Sequence, residues 1–187
     1  MDVTEATFAT DVVERSHEKP VVVDFWAAWC GPCRTLTPVL EREIEARADA
    51  VELAKVDVDA NPRLADEYAI RGIPAVKAFR NGRIVSEFVG ARPPQLVASF
   101  LDELTGPTAS EQLLAELRES GERPELLAAL EAGDHEAALE QLLAEAQSRN
   151  GDARDEVRRL MLAVFDELGT EHELTQRYRR RLAAALY

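Results

Sequence analysis

The sequence predicts an α/β domain with a mostly parallel sheet over residues 1–106, followed by an all-α domain over residues 107–187. Three observations predict this. Up to "LTGPTAS" (104–110), short β-rich apolar runs alternate with helical patterns. Asn81-Gly82 stands between two such runs, the strongest short-range signal for a two-residue hairpin. Beyond Gly106 the text turns to Ala, Leu, Glu and Arg with no strand-like run, and Gly121, Gly133, Gly151 and Gly169 stand where helices should stop.

Taken in order, residues 2–18 are expected to hold one strand and one helix. "VVVDFWA" (21–27) is almost continuously apolar, as a central strand covered on both faces should be. A helix follows from about 32 to 48, interrupted at Pro38, whose missing N–H should kink it. "VELAKVDVD" (51–59) is a second central strand, and Asn61-Pro62 opens a short helix with a cap and a first-turn proline. "PAVKAF" and "RIVSEFV" form the hairpin, and a helix from about 94 to 104 closes the domain.

In the second half we expect helices near 109–120, 124–132, 135–149, 153–168 and 171–186. Thr108 with Glu111, Asp152 with Asp155, and Thr170 with Glu173 have capping-box spacing. Leu174, Tyr178, Leu182 and Leu186 form an apolar stripe that must be buried against something. Short helices joined by glycine turns, with "GDHEAAL" at 133–139, read as a tetratricopeptide-like unit.

Composition excludes several roles. A net charge of −13, from 35 acids against 22 bases, argues against nucleic acid and anionic membranes, both of which need clustered positive charge. The N-terminus carries acids where a signal peptide has bases, and no apolar run approaches the ~20 residues of a membrane span. A cytoplasmic location is the expectation. There, a close cysteine pair reads as redox or metal chemistry rather than as a structural staple.

That pair is Cys30 and Cys33 in "WCGPC". Structural zinc needs four ligands, and His17, His135 and His172 all lie far from the pair in sequence, so no metal is expected. Between a strand and a helix, Cys30 would face the helix N-terminus, whose unpaired N–H groups and dipole favour a thiolate. An ordinary thiol of pKa near 8.5 is only ~3% ionised at pH 7, so bringing the pKa near 7 raises the nucleophile about fifteenfold. Cys33, one turn further on the same face and shielded, would attack the mixed disulfide and expel Cys30. The expected cofactor set is empty apart from this redox-active disulfide.

Residues 20–104 resemble thioredoxin: "VVVDFWAAWCGPCRTLTP", "KVDVDANPRLADEYAIRGIP" and "FRNGRIVSEFVGA" match that family in order and spacing. The resemblance implies the thioredoxin fold, a central mixed sheet flanked by helices, and a protein-disulfide oxidoreductase with thioredoxin reductase as reductant. It implies that Asp24, the one charge in its run, is a buried proton acceptor for Cys33. Lys55 would be the partner that keeps Asp24 titratable, or else a solvent-facing strand lysine. Pro74 would be a cis-proline beside the disulfide, leaving the Ile73 backbone free to pair with an extended substrate. Trp29, Gly31, Pro32, Ile73, Pro74, Gly90 and Ala91 would form the apolar substrate surface around Cys30, with Trp26 in core packing.

Thioredoxin followed by tetratricopeptide-like helices, ending in "LTQRYRRRLAAALY", resembles the YbbN (CnoX) type of bacterial co-chaperone, here with a shortened helical part. This second resemblance implies disulfide-containing or unfolding client proteins and docking on a chaperonin through the C-terminal helix. Residues 110–145 hold ten acids and two arginines, whereas residues 174–187 hold four arginines and no acid. The basic last helix reads either as dipole stabilisation or as a docking helix with Leu182, Leu186 and Tyr187 exposed at its end. Two functional classes therefore stand: a disulfide reductase with an added helical domain, and a chaperone adaptor with disulfide exchange secondary.

Overall fold

The computed structural model describes residues 1–186, the side chain of Leu186 excepted. The chain divides into two compact units, Met1–Gly106 and Pro107–Tyr187.

In the first unit four strands, β1 (Val21–Trp26), β2 (Glu52–Asp57), β3 (Ala75–Arg80) and β4 (Arg83–Val89), form one sheet in the order β2-β1-β3-β4. Only β1 and β2 are parallel; β1–β3 and β3–β4 are antiparallel. This corrects the mostly parallel sheet expected from the alternation of strands and helices. The hairpin puts β4 antiparallel to β3, and β3 itself enters against β1, so the sheet is mixed. Asn81 (φ 53°) and Gly82 (φ 75°) both take the left-handed backbone that this two-residue turn requires.

Side-chain alternation along the strands builds two cores. Val21, Val23, Phe25, Ala54 and Val56 face one way, onto Val3, Phe8, Val12 and Leu64 of helix α2 (Pro62–Glu67). Val22, Val76, Ala78 and Phe88 face the other, onto Leu36, Leu40 and Ile44 of α1 (Cys33–Glu45) and Val97, Phe100, Leu101 and Leu104 of α3 (Pro94–Thr105). Asp24 shares the parity of Val22, and Lys55 that of Leu53, so both are directed at the α1 layer. α1 is shorter than expected and ends at Glu45, with Pro38 inside it.

The N-terminal segment departs from the strand and helix expected there. Its strand reduces to a single bridge, Asp2 to Lys55, with Val3 N–H donating to the Lys55 carbonyl at 2.9 Å. Its helix is a π-helical segment, Ala9–Glu14, running into a 3-10 turn at Arg15–His17. Thr7 and Thr10 are poor helix formers, and the segment is held by Phe8 and Val12 in the core rather than by its own propensity.

The second unit comprises α4 (Ala109–Ser120), α5 (Pro124–Glu131), α6 (His135–Ser148), α7 (Asp152–Leu168) and α8 (Glu173–Leu186). α6 is central, packing against α5, α7 and α8. The core runs from Leu113 and Leu117 through Leu126, Leu139, Leu142 and Leu143 to Val157, Leu160, Met161, Val164, Phe165, Tyr178 and Leu182. The capping box at Thr108 and Glu111 forms in both directions. The other two do not. Gly151 occupies the cap of α7, and the ring nitrogen Nδ1 of His172 accepts from Leu174 N–H at 3.2 Å at the start of α8, which begins later than expected. At α7 the Gly151 carbonyl accepts from Arg154 and Asp155 N–H, so Asp152 lies inside the helix rather than at its cap.

Among the described residues, no helix is long and apolar enough to cross a membrane, and no cluster of three or more His, Cys, Asp or Glu could hold a metal ion.

Candidate active site

β1 ends at Trp26, and a short turn carries the chain through Trp29 to Cys30, after which α1 begins at Cys33. Cys30 and Cys33 are joined as a disulfide with Cα atoms 5.3 Å apart. Pro32 holds the cap position of α1, and the Cys33 N–H donates to the Cys30 sulfur at 3.2 Å. The first amide of α1 thus points at the Cys30 sulfur, where a thiolate would develop its charge. In the oxidised state both cysteines are buried.

Around the disulfide the surface is exposed and apolar. Trp29 is 68% exposed, its indole N–H fixed by an Asp59 carboxylate oxygen at 2.8 Å, and Gly31 and Pro32 are exposed beside it. The Ile73–Pro74 peptide is cis, Pro74 is buried, and its carbonyl accepts from Gly90 N–H at 2.8 Å. No backbone hydrogen bond engages the Ile73 amide or carbonyl among the described residues. Ala91 is exposed next to Gly90. Val89, which the sequence presents as an ordinary strand residue, adjoins the cis-proline turn: it pairs with Ala75, lies beside Gly72 and is 69% exposed. The signal that could have found it is an apolar residue on the open face of a strand that ends at the cis-proline.

Asp24 is fully buried on β1. Its Oδ2 accepts a hydrogen bond from the Thr37 hydroxyl of α1 at 2.6 Å, and its Oδ1 has no partner among the described residues. Burial pushes its pKa up to about 6, against the pull of the Thr37 bond and of the Lys55 charge. Lys55 sits opposite Asp24 in the β1–β2 register but does not bond to it. Its ammonium pairs instead with Glu41 of α1 at 2.9 Å, which raises the Lys55 pKa. Thr37 and Glu41, at helical spacing from Cys33, were not singled out in the sequence, because each looks like an ordinary helix residue until α1 is laid against the sheet. Trp26 is half-buried on β1, with its indole nitrogen inside the protein.

The docking residues expected at the C-terminus fare differently. Leu182 is buried in the helical core rather than exposed, because α8 turns it with Tyr178 onto the other helices. The side chain of Leu186, and Tyr187, lie outside the described residues. Two of the four α8 arginines are committed within the unit, Arg177 to Glu136 and Arg181 to Glu140, so the basic last helix answers the acidic α6.

Comparison with known proteins adds to this geometry. The protein-family model described as Thioredoxin matches residues 1–103, and that described as Tetratricopeptide repeat matches residues 126–187. The chain is 46% identical over 101 residues to Thioredoxin 1 of Synechococcus elongatus, covering 54% of this chain and 92% of that protein. It is similarly 46% identical over 105 residues to a thioredoxin of Alicyclobacillus acidocaldarius, 56% of this chain and 97% of that one. With the thioredoxin of Mycobacterium tuberculosis the identity is 49% over 103 residues, 55% and 84% of the two chains.

Proposed function

Because the chain belongs to the thioredoxin family and is a thiol–disulfide oxidoreductase with a tetratricopeptide-repeat unit fused behind it, we propose that it is a cytoplasmic protein-disulfide reductase. The observation that carries this reading is the Cys30–Cys33 disulfide at the start of α1, flanked by the exposed Trp29, Gly31 and Pro32, on the helix whose Thr37 bonds the buried Asp24 carboxylate. In the reduced protein the Cys30 thiolate attacks a client disulfide. One S–S bond breaks, a mixed disulfide forms, and the released client sulfur takes a proton. Cys33 then loses its proton to Asp24 and attacks Cys30. The Cys30–Cys33 bond forms, the bond from Cys30 to the client breaks, and two electrons have passed to the client. Lys55, through its pair with Glu41, sets the charge around Asp24. Trp29, Gly31, Pro32, Gly90 and Ala91 receive the client, which runs as an extended strand along the unpaired Ile73 backbone beside Pro74. Thioredoxin reductase is the expected reductant. The test is insulin reduction by the full chain coupled to that enzyme, and turnover no faster than that of Cys30→Ser would refute the reading.

A second reading is favoured by the tetratricopeptide match: the helical unit brings clients to the site, as disulfide-containing or unfolding proteins in quality control, and passes them to a chaperonin through α8. Truncating α8 is a poor test, since Tyr178 and Leu182 are core residues whose loss would unfold the unit. Arg180→Glu, on an exposed position of α8, should weaken chaperonin capture in a pull-down. Equal capture by both proteins counts against docking through this helix.

A further inference from the structure

Threonine at position 37 has no local reason to be there. It is β-branched, it lies inside a helix, and it precedes Pro38, a position where helical backbone is disfavoured. Its side chain caps no helix end. What it does is reach across from α1 to β1, where its hydroxyl donates to Asp24 Oδ2 at 2.6 Å. Cys33, Thr37 and Glu41 follow one another at four-residue spacing, so α1 presents the second cysteine, this hydroxyl and the Lys55 partner along one stripe.

We propose that Thr37 is a positioning residue for disulfide exchange: its hydroxyl grips one oxygen of Asp24 and leaves Oδ1 as the single open acceptor for the Cys33 proton. The proposal rests on the reading that Asp24 takes that proton. In the resolving step the Cys33 S–H bond breaks and its proton moves to Oδ1. The Cys33 sulfur then bonds to Cys30, and the client sulfur leaves with the electron pair of the broken disulfide. A carboxyl free to rotate in a buried site would offer two equivalent oxygens. The Thr37 bond removes one of them, and, being donated to the ionised form, it also opposes the protonation that burial favours.

The charges facing Asp24 come from two elements. β2 contributes Lys55, which favours the carboxylate, and α1 contributes Glu41, which opposes it. Lys55 is already bonded to Glu41 and is also drawn by Asp2, while β3 places apolar Val76 at the same register. Thr37 is therefore the one group hydrogen-bonded to the Asp24 carboxylate among the described residues.

The test is a carbon-13 titration of the Asp24 carboxyl in the oxidised full chain, for wild type, Thr37→Val and Thr37→Ser. Valine keeps the shape and removes the hydroxyl. The expected result is a midpoint about one pH unit higher in Thr37→Val, and a return to the wild-type midpoint in Thr37→Ser. A merely structural threonine would not produce this pattern. The acid limb of insulin reduction should move with the carboxyl in Thr37→Val. An unshifted Asp24 midpoint in Thr37→Val overturns the proposal and leaves the base reading standing. Wild-type insulin reduction by Asp24→Asn at every pH overturns the base reading itself, and with it the catalytic role given to Thr37.

Discussion

Replacing Asp24 by Asn should stabilise the oxidised protein at alkaline pH and much less at acidic pH. The carboxyl titrates at 3.8 in an ordinary setting and at about 6 in the folded protein, where burial is the largest cause. The folded pKa is raised, so between these values the folded state holds a proton that the unfolded chain releases. Stability therefore falls as pH rises through that window, and the whole penalty of ionising a buried carboxyl is present above pH 6. A carboxyl raised that far costs the folded state about 3 kcal/mol once it is ionised, and most of this develops between pH 4 and pH 8. Asn cannot ionise, and its amide oxygen can still accept from Thr37. The assay is urea denaturation of both proteins at pH 4 and pH 8, comparing the difference between them at each pH so that all other titrating groups cancel. The stability gap should widen in favour of Asp24→Asn by about 2–3 kcal/mol from pH 4 to pH 8. An equal gap at the two pH values would refute the placement of a buried, ionisable carboxyl at Asp24.

Cys33→Ser should accumulate client proteins as mixed disulfides on Cys30, visible as reducible adducts on a non-reducing gel; their absence would show that Cys30 is not the attacking thiol. Leu142→Ala removes a fully buried side chain from the centre of α6 and should destabilise the helical unit by about 2–5 kcal/mol in chemical denaturation. Gly82→Ala should cost about 1 kcal/mol or more, because the position has φ 75° and a Cβ would lie 2.7 Å from His17 Nε2. A thermal midpoint equal to wild type would show that the turn relaxes without strain.

The legible parts of this protein were those written in local chemistry. "VVVDFW" announced a covered strand, Asn81-Gly82 a tight turn, Thr108 with Glu111 a helix start, and the text around "WCGPC" a thioredoxin-type dithiol. Each depends on residues close together in the chain, so its physics is complete before the chain folds. The cis peptide before Pro74 was expected only through the family resemblance, since a proline in a loop carries no local mark of its isomer.

Where the sequence expectation failed, either an immediate neighbour or a distant packing partner decided the outcome. Asp152 and Thr170 had the right spacing to cap helices, but Gly151 and His172 took those places. Leu182 stood on an amphipathic last helix, and which neighbour covers that face is a tertiary matter; α6 covers it, with Glu136 and Glu140 meeting Arg177 and Arg181.

The sequence by itself determined the dithiol, its family and the helical character of the second half, because covalent spacing and periodicity suffice for those. Only the tertiary structure decided what surrounds the carboxylate. Asp24, Thr37, Glu41 and Lys55 come from one helix and two strands, and whether Lys55 reaches Asp24 or Glu41 depends on how α1 lies across the sheet. Strand parity sends Asp24 and Lys55 to the α1 face, and that face offered Lys55 a carboxylate at 2.9 Å and left Asp24 with a hydroxyl.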